Sequence, residues 1–178
     1  MTRILLVDDE INVLQALRRV LTRAFAGESV DIETFSDARQ GLARAGEIPF
    51  DVVLSDYRMP GMDGVTFLKR MRDLQPSSMR LILSATTDFD TIMAAVNEAE
   101  IHRYLIKPWS DEELVATMRA AIGRHAELVE MERLADERRL ERDAISAEEY
   151  ERRRLEAEEP GITRVNWGPD GAVHLDDD

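Results

Sequence analysis

An open, doubly wound α/β sheet carrying a helical extension is the fold this chain predicts, on three observations. Short apolar runs alternate with helix-period patterns from Met1 to about Ile122, the arrangement that builds right-handed βαβ units and a parallel sheet. Several of those runs end directly in a charged side chain: Asp8 and Asp9 after the first, Asp56 after the third, Lys107 after the last. Beyond Ile122 the pattern changes to a charge-dense stretch.

Residues 3–7 form a near-continuous apolar run, as expected of a strand with helices over both faces. Ile11, Leu14, Leu17, Leu21 and Phe25 then recur at helical spacing. Residues 30–35 alternate and predict a second, more peripheral strand. A Ser/Asp cap opens a helix over 36–45, and Gly46 stops it. Residues 50–55 predict strand three, and the Pro/Gly-rich stretch 59–64 a loop. A helix over 65–74 places Leu68 and Met71 on one face and stops before Pro76. Strands four and five fall at 80–83 and 103–106, separated by a helix at 91–99 on which Ile92, Val96 and Ala99 align. Ser110 and Glu113 make a capping box that opens a fifth helix. With strand order 2-1-3-4-5, the carboxyl ends of strands one and three flank the point where the order reverses, where such sheets bind ligands. Asp8, Asp9 and Asp56 are therefore expected in one pocket with Lys107.

Three carboxylates in a partly desolvated pocket repel one another and favour a proton or a cation. Mg²⁺ suits them: it is hard, prefers carboxylate oxygen, and keeps waters that a phosphate can replace. The same ion can bridge a carboxylate and an incoming phosphoryl oxygen. Asp56 is then the candidate nucleophile, giving an aspartyl phosphate. Lys107 and the hydroxyl of Ser84, at the end of strand four, would meet the phosphoryl oxygens.

In these residues the chain resembles the receiver domain of two-component response regulators, over residues 1 to about 125. Asp8-Asp9 match that family's acidic pair, Asp56 its phospho-acceptor and Ser84-Ala85 its hydroxyl–alanine pair. Tyr104 matches its switch aromatic, and Lys107-Pro108 its lysine followed by a cis-bonded proline. The stretch from Ser55 to Gly64 is typical of the family. The resemblance implies a flavodoxin-like sheet and Mg²⁺ as cofactor. It implies metal bound directly by Asp9 and Asp56, through water by Asp8, and by the backbone carbonyl of Arg58. A histidine kinase or phosphotransfer protein would donate the phosphoryl group, and a downstream protein partner would read it. On phosphorylation Ser84 would move toward Asp56 and Tyr104 would swing into the vacated space, remodelling the surface of the fourth helix, fifth strand and fifth helix. Trp109, on the rim of that surface, is either a packed rim residue or an apolar anchor for a partner.

Composition bounds the remainder. A chain of 178 residues with 44% hydrophobic content suits one domain plus an appendage. Residues 1–109 hold 13 basic and 16 acidic side chains, residues 110–178 hold 10 and 20, so the net charge of −13 sits mostly in the tail. That balance disfavours nucleic acid and anionic lipid as partners. The absence of cysteine excludes disulfide and thiolate chemistry. No apolar stretch approaches the roughly 20 residues of a membrane span, and no leader is evident, so a cytoplasmic protein is expected. His102, His125 and His174 lack metal-ligand spacing.

Residues 126–159 read as a charged helical extension, with a break near Ile145 suggested by a second capping box at Ser146 and Glu149. Leu128, Met131, Leu134 and Ala135 form a narrow stripe, read as a coiled-coil homodimer seam, with packing back on the front domain as the alternative. Arg152, Arg153 and Arg154 lie among glutamates and read as a solvated helix face rather than a nucleic-acid patch. Residues 160–178 form a short tail with a small hairpin over 165–175. The expected function is a phosphorelay adaptor that accepts phosphoryl on Asp56 and switches a protein-interaction surface, with no separate catalytic domain and no DNA-binding output domain in this chain. Two alternatives remain: a transcriptional regulator, which the acidic tail opposes, and the regulatory part of a cyclic-dinucleotide phosphodiesterase system, which the lack of a His/Asp cluster after residue 110 opposes.

Overall fold

The computed structural model describes residues 1–85 and 99–158. In chain order the elements are β1 (Thr2–Val7), α1 (Ile11–Ala24), β2 (Val30–Phe35), α2 (Ala38–Ala45), β3 (Val52–Asp56), α3 (Gly64–Leu74), β4 (Met79–Ser84), β5 (Arg103–Ile106) and α4 (Asp111–Glu158). The strands pair in parallel in the order β2-β1-β3-β4-β5, as predicted. The predicted helix at 91–99, save Ala99, and the predicted hairpin at 165–175 lie outside the described residues.

The period-two alternation of the strands sends successive side chains to opposite faces, and each face is covered by helices. On one face Leu6, Leu54, Leu81, Leu83 and Leu105 pack with Leu14, Leu17 and Leu21 of α1 and with Leu114, Met118 and Ala121 of α4. On the other, Leu5, Val7, Val53 and Ile82 pack with Ala38 and Ala45 of α2 and Phe67, Leu68 and Met71 of α3. Every residue of β3 and β4 is buried, whereas the residues of edge strand β2 are half-buried, which accounts for its alternating sequence.

Side-chain caps set several helix starts. Asp37 accepts the Arg39 N–H at 2.7 Å, so α2 opens two residues later than predicted. Asp63 accepts from Thr66 N–H at 2.8 Å, and Ser110 from Glu113 N–H at 3.1 Å as the capping box predicts. Strand three begins at Val52 rather than Phe50, because the Phe50 N–H bonds the Gln75 side chain at 2.7 Å instead of a strand. Arg119 of α4 ties that helix to the end of α1. It donates to the Ala24 carbonyl at 3.0 Å, pairs with Glu28 at 2.9 Å and lies 4.8 Å from the Phe25 ring centroid.

Two compact units divide the chain, Met1–Glu130 and Met131–Asp178. The first reaches past the expected boundary at 125, since Leu128 of α4 still packs against the core. In the second, the described residues are helical to Glu158, and Met131, Leu134 and Leu155 are exposed. The break expected near Ile145 is corrected by this: the backbone stays helical through it. Ser146 and Glu149 resemble a capping box, but Ala144 and Ala147 around them favour continuation, and a cap motif starts a helix only where the preceding turn is broken.

Candidate functional site

Pairing of β1 with both β2 and β3 places the strand order's reversal between β1 and β3, with Val7 opposite Ser55. The next residue on each strand is an aspartate, so Asp8 and Asp56 emerge side by side, 1% and 6% exposed. Lys107 follows β5, held there by its own N–H donating to the Ser84 carbonyl at 2.8 Å. Its ammonium lies 2.6 Å from Asp56 Oδ1, 2.8 Å from Asp8 Oδ2 and 3.7 Å from Glu10 Oε1. The Lys107–Pro108 peptide is cis.

The rest of the pocket is built from backbone. The Arg58 N–H donates to Asp56 Oδ2 at 2.7 Å, so the two carboxylate oxygens are engaged from opposite sides. Asp8 Oδ1 accepts the Glu10 N–H at 2.8 Å, which fixes the start of α1. The Ser55 hydroxyl donates to the Asp56 carbonyl at 2.9 Å. Gly64 opens α3 with its N–H donating to the Tyr57 carbonyl at 2.9 Å. A Cβ on Gly64 would stand 2.0 Å from the Asp56 carbonyl oxygen, so glycine is what lets α3 close over the strand end.

Burial pushes the Asp8 carboxyl above the ordinary aspartate value, opposed by the Lys107 bond and the Glu10 N–H, and reinforced by the Asp56 charge. Burial works against the Lys107 ammonium, but the hydrogen bonds and charges of Asp56 and Asp8 outweigh it and hold its pKa above the usual lysine value. The ammonium therefore remains charged and serves as counter-ion to both carboxylates.

Of the residues expected in one pocket, Asp8, Asp56 and Lys107 meet. Asp9 is exposed and lines an adjoining cavity of about 290 Å³ with Asp37, which caps α2, Arg39 of α2 and Met59 to Met62 of the loop after β3. Among the described residues no group of three acidic or imidazole side chains is gathered as a metal site, and the Lys107 ammonium is the cation that Asp8 and Asp56 share. Ser84 ends β4, buried and opposite Ile106. Tyr104 lies opposite Ile82 and is 42% exposed. Trp109 is half-buried and packs against the core cluster that includes α1 and α4 residues. Glu10 and Gly64 take part in the site but do not stand out in the sequence. Glu10 reads as an ordinary residue before a helix, and Gly64 as one more loop glycine.

A doubly wound parallel sheet with an acidic pair, a strand-end aspartate and a strand-end lysine at its switch point defines the class. The family model of the response regulator receiver domain matches residues 4–119, and the chain belongs to that family. It is 40% identical over 131 residues to the hydrogenase transcriptional regulatory protein HoxA of Cupriavidus necator, covering 74% of this chain and 26% of that protein. Identity to the DNA-binding transcriptional regulator NtrC of Salmonella typhimurium is 36% over 121 residues, 68% of this chain and 25% of the relative. The chain thus spans about a quarter of the length of the curated relatives it matches. Among solved structures, the signal receiver domain of an HD domain-containing protein from Pseudomonas fluorescens superposes with TM-score 0.67 at 36% identity, over 72% of this chain and 92% of that one. Chemotaxis protein CheY4 of Vibrio cholerae superposes with TM-score 0.62 at 30% identity, over 68% and 98%. Among the described residues no helix is long and apolar enough to cross a membrane.

Proposed function

We propose that this receiver accepts a phosphoryl group on Asp56 from a histidine kinase or phosphotransfer protein and passes the change to a protein partner. One observation carries the reading: Asp56 is buried at the sheet's switch point, with one carboxylate oxygen on the Lys107 ammonium and the other on the Arg58 N–H. In the step, an Asp56 carboxylate oxygen attacks the phosphorus of the donor's phosphohistidine. The P–N bond breaks, the electron pair leaves with the imidazole, and an acyl phosphate remains.

Asp9, Asp56 and the Arg58 carbonyl, with Asp8 beside them, are the residues that would hold Mg²⁺, since they offer the hard oxygen donors it prefers. When bound, the ion neutralises charge on the phosphoryl group. Lys107 keeps a compensating charge beside the acceptor as the group adds roughly −1.5 to −2 units. The Ser84 hydroxyl then turns toward the new oxygens, and Tyr104, exposed at rest, moves inward. The surface around Tyr104 and Trp109 is what a partner reads.

Met131 and Leu134, exposed on the charged helix of the second unit, support homodimerisation through that helix. A cytoplasmic location and the absence of a catalytic step beyond phosphoryl acceptance belong to the same reading. A second reading, part of a transcriptional regulator, is favoured by the similarity to HoxA and NtrC, both transcriptional regulators. The acidic tail weighs against direct nucleic-acid contact by this chain.

Beryllofluoride with Mg²⁺ tests the acceptor. In a Trp167→Phe background, Trp109 emission should change in otherwise wild-type protein and stay constant in Asp56→Ala. Equal responses would remove Asp56 as the acceptor.

A further inference from the structure

At the far end of the strand that carries Ser84 lies a buried cation outside the acceptor pocket. Arg80 is 2% exposed, and its guanidinium is solvated mainly by main-chain oxygens. Nε donates to the Ala99 carbonyl at 3.1 Å, Nη1 to the carbonyls of Pro76 at 3.1 Å and Ser78 at 2.7 Å, and Nη2 to that of Glu100 at 3.5 Å. The Glu100 carboxylate, mostly exposed, comes only within 3.7 Å. Burial pushes the Arg80 pKa down, yet a guanidinium keeps its proton in proteins, so those carbonyls hold a full charge.

Three of the gripped positions belong to the approach to β5. Besides Ala99 and Glu100, His102 is tied twice: its N–H donates to the Arg80 carbonyl at 2.8 Å, and its Nδ1 accepts the Arg80 N–H at 3.2 Å. Glu100 has φ of 50°, a left-handed conformation unfavourable for a residue with a Cβ. Such a conformation persists where the surroundings over-determine it, and the Arg80 guanidinium bonds its carbonyl. The residues that follow are the ones the site needs. Tyr104 pairs with Ile82 and Ile106 with Ser84, and Lys107 comes next. A slip of one residue would move Lys107 by about 3.3 Å and turn Tyr104 to the other face. That displacement exceeds the 2.6 Å contact to Asp56.

We propose that Arg80 is a positioning residue that locks β5 in register on β4 from its amino end, and through that register holds Lys107 against Asp56. Only the link to Lys107 rests on the acceptor reading. The lock itself is tested without it.

Amide hydrogen exchange on the full chain reads the lock. In Arg80→Met, exchange over residues 101–107 should rise about tenfold, with β1 and β3 unchanged. Arg80→Lys, which keeps the charge but not the fork, should fall between, and it carries the test if the methionine variant does not fold. A uniform rise across the sheet, or none at 101–107, overturns the lock. The second readout is the initial rate of Asp56 phosphorylation by a small acyl phosphate with Mg²⁺, expected to fall about fivefold in Arg80→Met and to recover partly in Arg80→Lys. An unchanged rate beside raised local exchange overturns the link to Lys107. Wild-type protein that takes no phosphoryl group defeats the acceptor reading instead, and the exchange result alone then decides the lock.

Discussion

Gly64 and Asp56 meet main chain to main chain, and no side chain fits between them. An alanine at Gly64 would force a Cβ to 2.0 Å from the Asp56 carbonyl oxygen, which is rigid strand backbone. Gly64→Ala should cost about 2 to 4 kcal/mol in urea unfolding. Gly61, with φ of 77° but nothing within 4 Å of an added Cβ, is the control, and its alanine variant should cost about 1 kcal/mol. Equal losses would show that the close approach carries no weight. His102 gives a pH test at the same scale. Burial first, then the Arg80 charge, holds its pKa below the ordinary 6.5, and Nδ1 must stay unprotonated to accept the Arg80 N–H. Below 6.5 the unfolded chain therefore binds more protons than the folded one, and stability falls as pH drops toward the depressed folded value. Unfolding midpoints should decline with acid in wild type and less steeply in His102→Asn. Parallel curves would clear the histidine. Asp8, Asp56 and Lys107 were legible in the sequence because each ends an apolar run and the topology gathers such ends. Gly64 and Arg80 were not: a close backbone approach leaves no trace in hydrophobic periodicity, and an arginine opening a strand reads as solvent-facing.

Helix α4 changes character along its length while its sequence looks uniform in charge. Leu128 packs beneath it on the first unit's core, whereas Met131, three residues on, is 61% exposed. The stripe that joined them in the sequence is thereby split: Leu128 packs on the core, and Met131 and Leu134 are exposed. Leu128→Ala should lower stability by about 1 to 2 kcal/mol, reduced from a full core truncation because the side chain is only half-buried. Met131→Ala should stay within about 0.5 kcal/mol. In light scattering the pair Met131→Glu with Leu134→Glu should shift a dimer toward monomer, and a mass unaffected by the pair would remove this seam. The helix-period pattern revealed that a helix exists here. It could not reveal where the packing stops, since that depends on how far the sheet beneath extends.

Over the whole molecule, the parallel sheet and its two-sided core followed from alternation and the right-handed crossover rule, whereas the strand order came with the resemblance to receiver domains. The division at Glu130 did not, because the change to a charge-dense pattern begins earlier, after Ile122, and no proline or glycine lies at Glu130. Among the described residues, all sheet strands and both core clusters fall within Met1–Glu130. Residues 1–130 expressed alone should therefore melt cooperatively, within a few degrees of the full chain. A molten or broadened transition would show that the second unit supplies part of the first unit's stability.

Asp8 holds more than charge. One of its oxygens receives the Lys107 ammonium and the other the first amide ahead of α1, whose opening residue, Ile11, is 60% exposed. A single buried carboxylate thus links the chemistry of the pocket to a methyl group on the molecular surface, on a different helix from the Tyr104 strand. Isotope-labelled Ile11 is accordingly a built-in gauge: its resonance should follow the charge state of Asp56 even in a protein whose Tyr104 has been frozen by mutation.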